Sequence, residues 1–224
     1  KLVALIEHMD DGIGQVINAL KKNGQYENTL TIFSSDNGGQ VNVGGTNGNH
    51  RGGKQDMYEG GLKVPTCAVW PGKIKAGQVS DLIFYQPDVL PTLAELTGAK
   101  APGDIDGLSF LPTLLGQAQK KKHKMLYWEF RGQTAVRQGL WKAIQTKPER
   151  PWELYDLNTD ISESEDVAAK HPERLAKMKA FAKASHEPVQ IGKYLDPKRT
   201  RHERDRKAKW GTAKPQPRAR RLRK

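Results

Sequence analysis

A carboxylate and a carboxamide stand side by side where an apolar run ends, in Ile32-Phe33-Ser34-Ser35-Asp36-Asn37-Gly38-Gly39, and a lysine follows in the glycine-rich turn Arg51-Gly52-Gly53-Lys54. Asp36 and Asn37 offer the hard oxygen donors that calcium or magnesium takes. Lys54 offers a compact positive charge, and the neighbouring glycines let the backbone turn sharply or come close to a ligand. Oxygen ligands and a cation at the end of a sheet suit a doubly charged oxyanion ester, held where α/β sheets hold their ligands. We expect the three side chains to converge on one pocket. Taken alone, Asp36-Asn37-Gly38 reads first as a turn closing a strand, and a lone lysine as a solvated one.

The elements that must position these groups follow from periodicity. Leu2, Leu5, Ile6, Met9, Ile13, Val16, Ile17 and Leu20 keep a three-and-four spacing, which predicts an amphipathic helix packed on a sheet and ending near Asn23 and Gly24. Residues 30–33 form a short apolar strand of the kind covered on both faces in a parallel sheet. Residues 40–53, rich in Gly and Asn, are the loop joining the two motifs. Residues 64–70 are the next strand, in which Cys67 reads as core. Residues 88–96 form a helix with Val89, Leu90, Leu93 and Leu96 inward and Gly98 beyond its end.

Composition shifts after Gly116. Residues 117–124 are a lysine-rich linker, and residues 125–157 read as short strands with turns at Arg131-Gly132 and Gln138-Gly139, making a small antiparallel sheet. Trp128, Trp141, Trp152 and Tyr155 read as its core aromatics. Residues 171–186 form a helix with Pro172 in its first turn and Leu175, Met178 and Phe181 on the stripe that covers the sheet. From Ile191 onward no periodic apolar pattern remains, so the remainder is expected to be disordered or draped over a partner.

The two chemical motifs, together with Tyr58-Glu59-Gly60-Gly61, Val64-Pro65, Trp70-Pro71-Gly72, Gln86-Pro87-Asp88, Asp106-Gly107 and Glu153-Leu154-Tyr155-Asp156-Leu157, resemble in their order and spacing the sulfatase family. The resemblance runs over roughly residues 1–190. It implies an α/β fold with an alkaline-phosphatase-like sheet flanked by helices (residues 1–116), then a small antiparallel β subdomain with one helix (117–190); by composition a basic tail (191–224) follows. It implies hydrolysis of sulfate monoesters of a carbohydrate or aryl alcohol, with Asp36 and Asn37 as ligands of Ca2+ (Mg2+ being the alternative) and Lys54 binding the sulfate. It also implies a periplasmic or extracellular protein.

Family members carry a formylglycine nucleophile made from C/S-x-P-x-R, and further metal-binding aspartates. Cys67 has Val69 where that motif has proline and Pro71 where it has arginine, and no serine supplies the alternative. The chain is therefore expected to be the C-terminal portion of a sulfatase, inactive and poorly soluble alone. His50, where the family often has an apolar residue, reads either as a contact to the substrate or as an exposed loop histidine. Arg51 reads as a structural brace, and Glu59 as a turn cap accepting backbone hydrogen bonds. The acidic stretch 156–165, with Ile161 in place of the family's proline, reads as a solvated connection.

A formal charge of +12 over 224 residues first suggests a nucleic-acid or membrane partner. Residues 198–224 hold 13 Lys or Arg against two acids, so the rest is near +1. Nucleic acid is not the expected partner, and no apolar run is long enough to span a bilayer. A sulfated small molecule or polysaccharide is. The rival readings are a non-catalytic binder of sulfated polyanions and a phosphoester-hydrolysing relative of the same superfamily.

Overall fold

A computed structural model describes residues 1–187, so the expectation of a disordered basic tail falls outside the described residues. The elements are α1 (Leu2–Lys22), β1 (Thr31–Ser34), α2 (Glu59–Leu62), β2 (Thr66–Val69), α3 (Val89–Thr97), α4 (Leu111–Leu114), β3 (Leu126–Phe130), β4 (Gln133–Gln138), β5 (Trp141–Gln145), β6 (Glu153–Asp156) and α5 (Pro172–Ser185). They fall into two units. One comprises residues 1–46 and 63–124; the other comprises residues 47–62 and, among the described residues, 125–187.

In the first unit α1 forms where its apolar spacing predicts and ends at Asn23, whose N–H donates back to Ala19 O, while the Gly24 N–H donates to Lys21 O. The expected packing of that helix is not seen: α1 has no buried residue, and Leu5 and Val3 are about two-thirds exposed. β1 pairs with β2, and the pairing is antiparallel, with Thr31 opposite Val69 and Ser34 opposite Thr66. This corrects the expectation of a parallel neighbour, because an apolar run reports burial and not the direction of its partner. Cys67 is likewise exposed rather than core, since no described element covers its side of this two-stranded pair.

α3 also turns a different face inward from the one predicted. Leu90 and Leu93 are exposed, while Thr92 and Ala94 are buried. The small residues let residues 107–110 lie against the helix: Phe110 N–H donates to Thr92 Oγ1 at 3.0 Å, and Thr92 donates to Asp88 O at 2.7 Å. A side chain at Gly107 would strike the Pro87 carbonyl, so glycine is required there for close approach. Asp88 is the hub, fully buried and accepting from the N–H groups of Tyr85 and Leu108.

The second unit is a four-stranded antiparallel meander in the order β3-β4-β5-β6. Successive strand residues alternate between its faces. Ala135, Ile144 and Tyr155 pack with Met57, Tyr58 and Leu157 on one face. Val136, Ala143 and Leu154 pack with Met178 and Ala182 of α5 on the other. Both faces are therefore covered, one by the segment around Tyr58 and one by α5. The predicted sheet, its turns and its helix all appear, whereas Trp128, Trp141 and Trp152, expected in the core, are only half-buried against the two clusters; Arg131, Gly132 and Gly139 take the positive φ that tight connections need.

Candidate functional site

Asp36 and Asn37 sit just past β1 in the first unit. Ser35 Oγ donates to Asn37 O at 2.8 Å and Asn37 Nδ2 donates to Gly38 O at 3.1 Å, which fixes the turn. The Asn37 Oδ1 is left open by that arrangement. Asp36 is exposed, and its carboxylate has no hydrogen bond or ion pair among the described residues. Both groups are hard oxygen donors suited to calcium or magnesium. They are too few to make a site: such ions take about six or more oxygens, and the described residues contain no group of three His, Cys, Asp or Glu placed to hold a metal. The donors fit such an ion in kind and not in number.

His50 and Lys54 lie in the second unit, on the loop that leads into α2. This loop is bonded at nearly every turn. Asn47 Nδ2 donates to Gly52 O at 2.9 Å, Gly53 N–H to Asp56 Oδ2 at 2.8 Å, and Gly60 N–H to Arg51 O at 2.8 Å. Side chains at Gly60 or Gly61 would run into the loop's own carbonyls. The glycines thus serve the loop's closure on itself as much as access to a ligand. Gln55 has φ +80°, a conformation that costs a non-glycine residue about 1–3 kcal/mol. It is held there by Arg131, which donates to its side chain, and by Gln133, which donates to its carbonyl.

Lys54 stands at the apex, exposed and without a partner among the described residues. His50 Nδ1 donates to Ile161 O at 3.3 Å, leaving Nε2 open. Arg51 is the brace expected of it. Its guanidinium lies 3.9 Å from the Tyr58 ring centroid and donates to Tyr155 OH and Glu163 O. Tyr58 and Tyr155 both donate to Glu153 Oε2 at 2.7 Å. Burial, and then the nearby Glu153 carboxylate, push both phenols well above the usual tyrosine range.

Beneath the loop lies a buried charge cluster that sequence reasoning missed. Lys142, on β5, has a fully buried ammonium 2.9 Å from Glu59 and 3.0 Å from Glu163. Glu59 also pairs with Arg137 at 2.6 Å, so its carboxylate serves two cations instead of acting simply as a turn cap. Glu163 accepts the Glu59 N–H at 2.6 Å and is itself wholly buried. The stretch expected to be a solvated connection therefore inserts an acid into the interior. Burial raises the Glu163 carboxyl above its usual range, against the opposing pull of Lys142. The readable signal was Lys142 itself, a lysine on the same inward face as Ile144 and set between the apolar Trp141 and Ala143.

The structure places Asp36 with Asn37, and His50 with Lys54 on one loop; the two pairs belong to different units. Comparison with known proteins gives a consistent family. Residues 2–99 match the family model described as Sulfatase. The chain is 36% identical over 169 residues to N-acetylgalactosamine-6-sulfatase of Mus musculus, covering 73% of this chain and 32% of that protein. It is 42% identical over 132 residues to steryl-sulfatase of Rattus norvegicus, covering 54% and 23%. It thus spans about a third or less of these curated relatives. The solved structure of Ps i-CgsB with k-i-k-neocarrahexaose aligns with TM-score 0.74 at 32% identity, over 87% of this chain and 45% of that one. The alkaline-phosphatase-like α/β reading, with its following antiparallel sheet and helix, holds.

Proposed function

We propose that this chain, a sulfatase relative by its match over residues 2–99, serves the hydrolysis of carbohydrate sulfate monoesters, with Lys54 binding the sulfate and Asp36 and Asn37 supplying two ligands of a divalent cation. The observation that carries the reading is Lys54: one uncommitted ammonium at the apex of a loop that is bonded at nearly every turn and whose next residue is strained. Such a fixed charge needs no rearrangement when negative charge builds on the nonbridging oxygens of a transferring sulfuryl group. The cation supplies further charge neutralisation when bound. Its remaining ligands, and the formylglycine nucleophile, lie outside these 224 residues in this reading. The sugar assignment draws on N-acetylgalactosamine-6-sulfatase and on the saccharide in the Ps i-CgsB structure.

The test is turnover of a chromogenic aryl sulfate by a polypeptide joining this chain to a segment with C/S-x-P-x-R. Lys54→Ala and Asp36→Ala each lower kcat/KM by about 10²–10³-fold, and the double variant loses less than the product of the two, as groups acting together do. Undiminished turnover by Lys54→Ala rejects the assignment. Turnover of a phosphate monoester exceeding that of the sulfate would favour the phosphoester-hydrolysing alternative.

A further inference from the structure

Lys120, Lys121, Lys122 and Lys124 take no part in the site described above, yet all four are exposed and none has an ion pair among the described residues. A charge run of this composition ordinarily makes a solvated, irregular link. Here its backbone is fastened on both sides. Gln119 Nε2 donates to Ser109 O at 2.9 Å and to Lys121 O at 2.7 Å, and Gln119 Oε1 accepts from Thr113 at 3.0 Å. At the other end His123 Nε2 meets the buried Asp88 carboxylate at 2.8 Å, with its ring edge-on to Tyr85. The anchors are buried or half-buried and the four ammonium groups are not.

We propose that residues 119–124 form a docking strap for a sulfated polysaccharide. Four like charges lie within a stretch at most about 14 Å long, less than two screening lengths at physiological salt. Holding them together costs repulsion that an anion of similar charge spacing relieves. Ordering the backbone beforehand lowers the entropy lost on binding. A nucleic acid fits less well, because strong single-strand binders add aromatic faces on which bases stack. The one ring in the strap, His123, is already engaged by Asp88 and Tyr85. The choice of a sulfated sugar rests on the proposed function, but the strap shares no residue with the groups assigned to hydrolysis.

Binding of the full 224-residue chain to a size-defined heparin oligosaccharide, read by titration at several salt concentrations, tests this. Replacing the four lysines together with Gln weakens binding by about tenfold or more and lowers the salt slope of log K by about three. A charge-matched control, Lys63→Gln with Lys73→Gln, Lys75→Gln and Lys100→Gln, changes affinity by about twofold or less. His123→Gln, which keeps the lysines and releases the anchor, gives an intermediate loss with an unchanged circular dichroism spectrum. Equal losses in strap and control variants overturn the proposal, as does tighter strap-dependent binding of single-stranded DNA than of the heparin oligosaccharide. A chain that binds heparin through the strap while the joined polypeptide hydrolyses no sulfate ester leaves this inference standing and removes the proposed function.

Discussion

The two units keep their apolar and charged residues in opposite places. In the first, apolar side chains on α1 and the β1–β2 pair face outward, and the buried hub is Asp88 with Thr92. In the second, both sheet faces are covered by apolar residues, and a lysine, an arginine and two glutamates are paired inside. The contrast teaches that the second unit satisfies its own surfaces, whereas the first displays an apolar face for which no described residue provides a cover. A helix with an apolar stripe is stabilised chiefly by what it packs on.

The sharpest way to break this contrast is to remove the charge at its centre. Lys142→Met leaves Glu59 and Glu163 buried with one cation fewer, and destabilises the second unit by about 3–5 kcal/mol. Urea unfolding followed by the fluorescence of Trp128, Trp141 and Trp152 measures it; a neutral substitution would show that the cluster is dispensable. Next in size is a matched pair of truncations. Met178→Ala, at a fully buried site, costs about 2–5 kcal/mol, while Leu5→Ala on α1 stays within about 0.5 kcal/mol. Equal costs would mean that the α1 face is packed in solution.

The smallest effect sharpens the electrostatic half. The folded Glu163 carboxyl titrates above its ordinary value of 4.5, so the folded state holds that proton more tightly than the unfolded one. Its contribution is therefore fully present below the unfolded value and falls as pH rises toward the raised one. Glu163→Gln cannot titrate. The Tm of wild type minus that of this variant should fall as pH rises from below 4.5 and then level off; a rise over that range would reverse the assigned sign.

How much was legible in the sequence follows the same division. The second unit's strands, turns and helix were readable because alternation, glycine turns and a proline start are local signals. The first unit gave its helix but not what the helix packs on, and an apolar run could not reveal that β1 meets β2 antiparallel. Reading Leu90 and Leu93 as inward failed because hydrogen bonding to Asp88 and Thr92 set the rotation of α3. At the site, Asp36, Asn37 and Lys54 were chosen from motif order, and the exposed, uncommitted state of Asp36 and Lys54 is compatible with their proposed roles. Glu163 was invisible because nothing in Ser162-Glu163-Ser164-Glu165 marks which acid turns inward.

The segment bearing Lys54 is one wall of the four-stranded sheet rather than a strap laid across it, since Met57 and Tyr58 fill the same cluster as Ala135, Ile144 and Tyr155. That makes the loop a poor candidate for transplantation. An engineer grafting Arg51 through Gly61 onto another scaffold would have to bring along the lysine of β5, the acid at 163 and the tyrosine of β6, all of which lie about eighty residues or more downstream. Inherited damage would obey the same logic, because a lesion in those later strands would register as a misplaced ammonium at position 54.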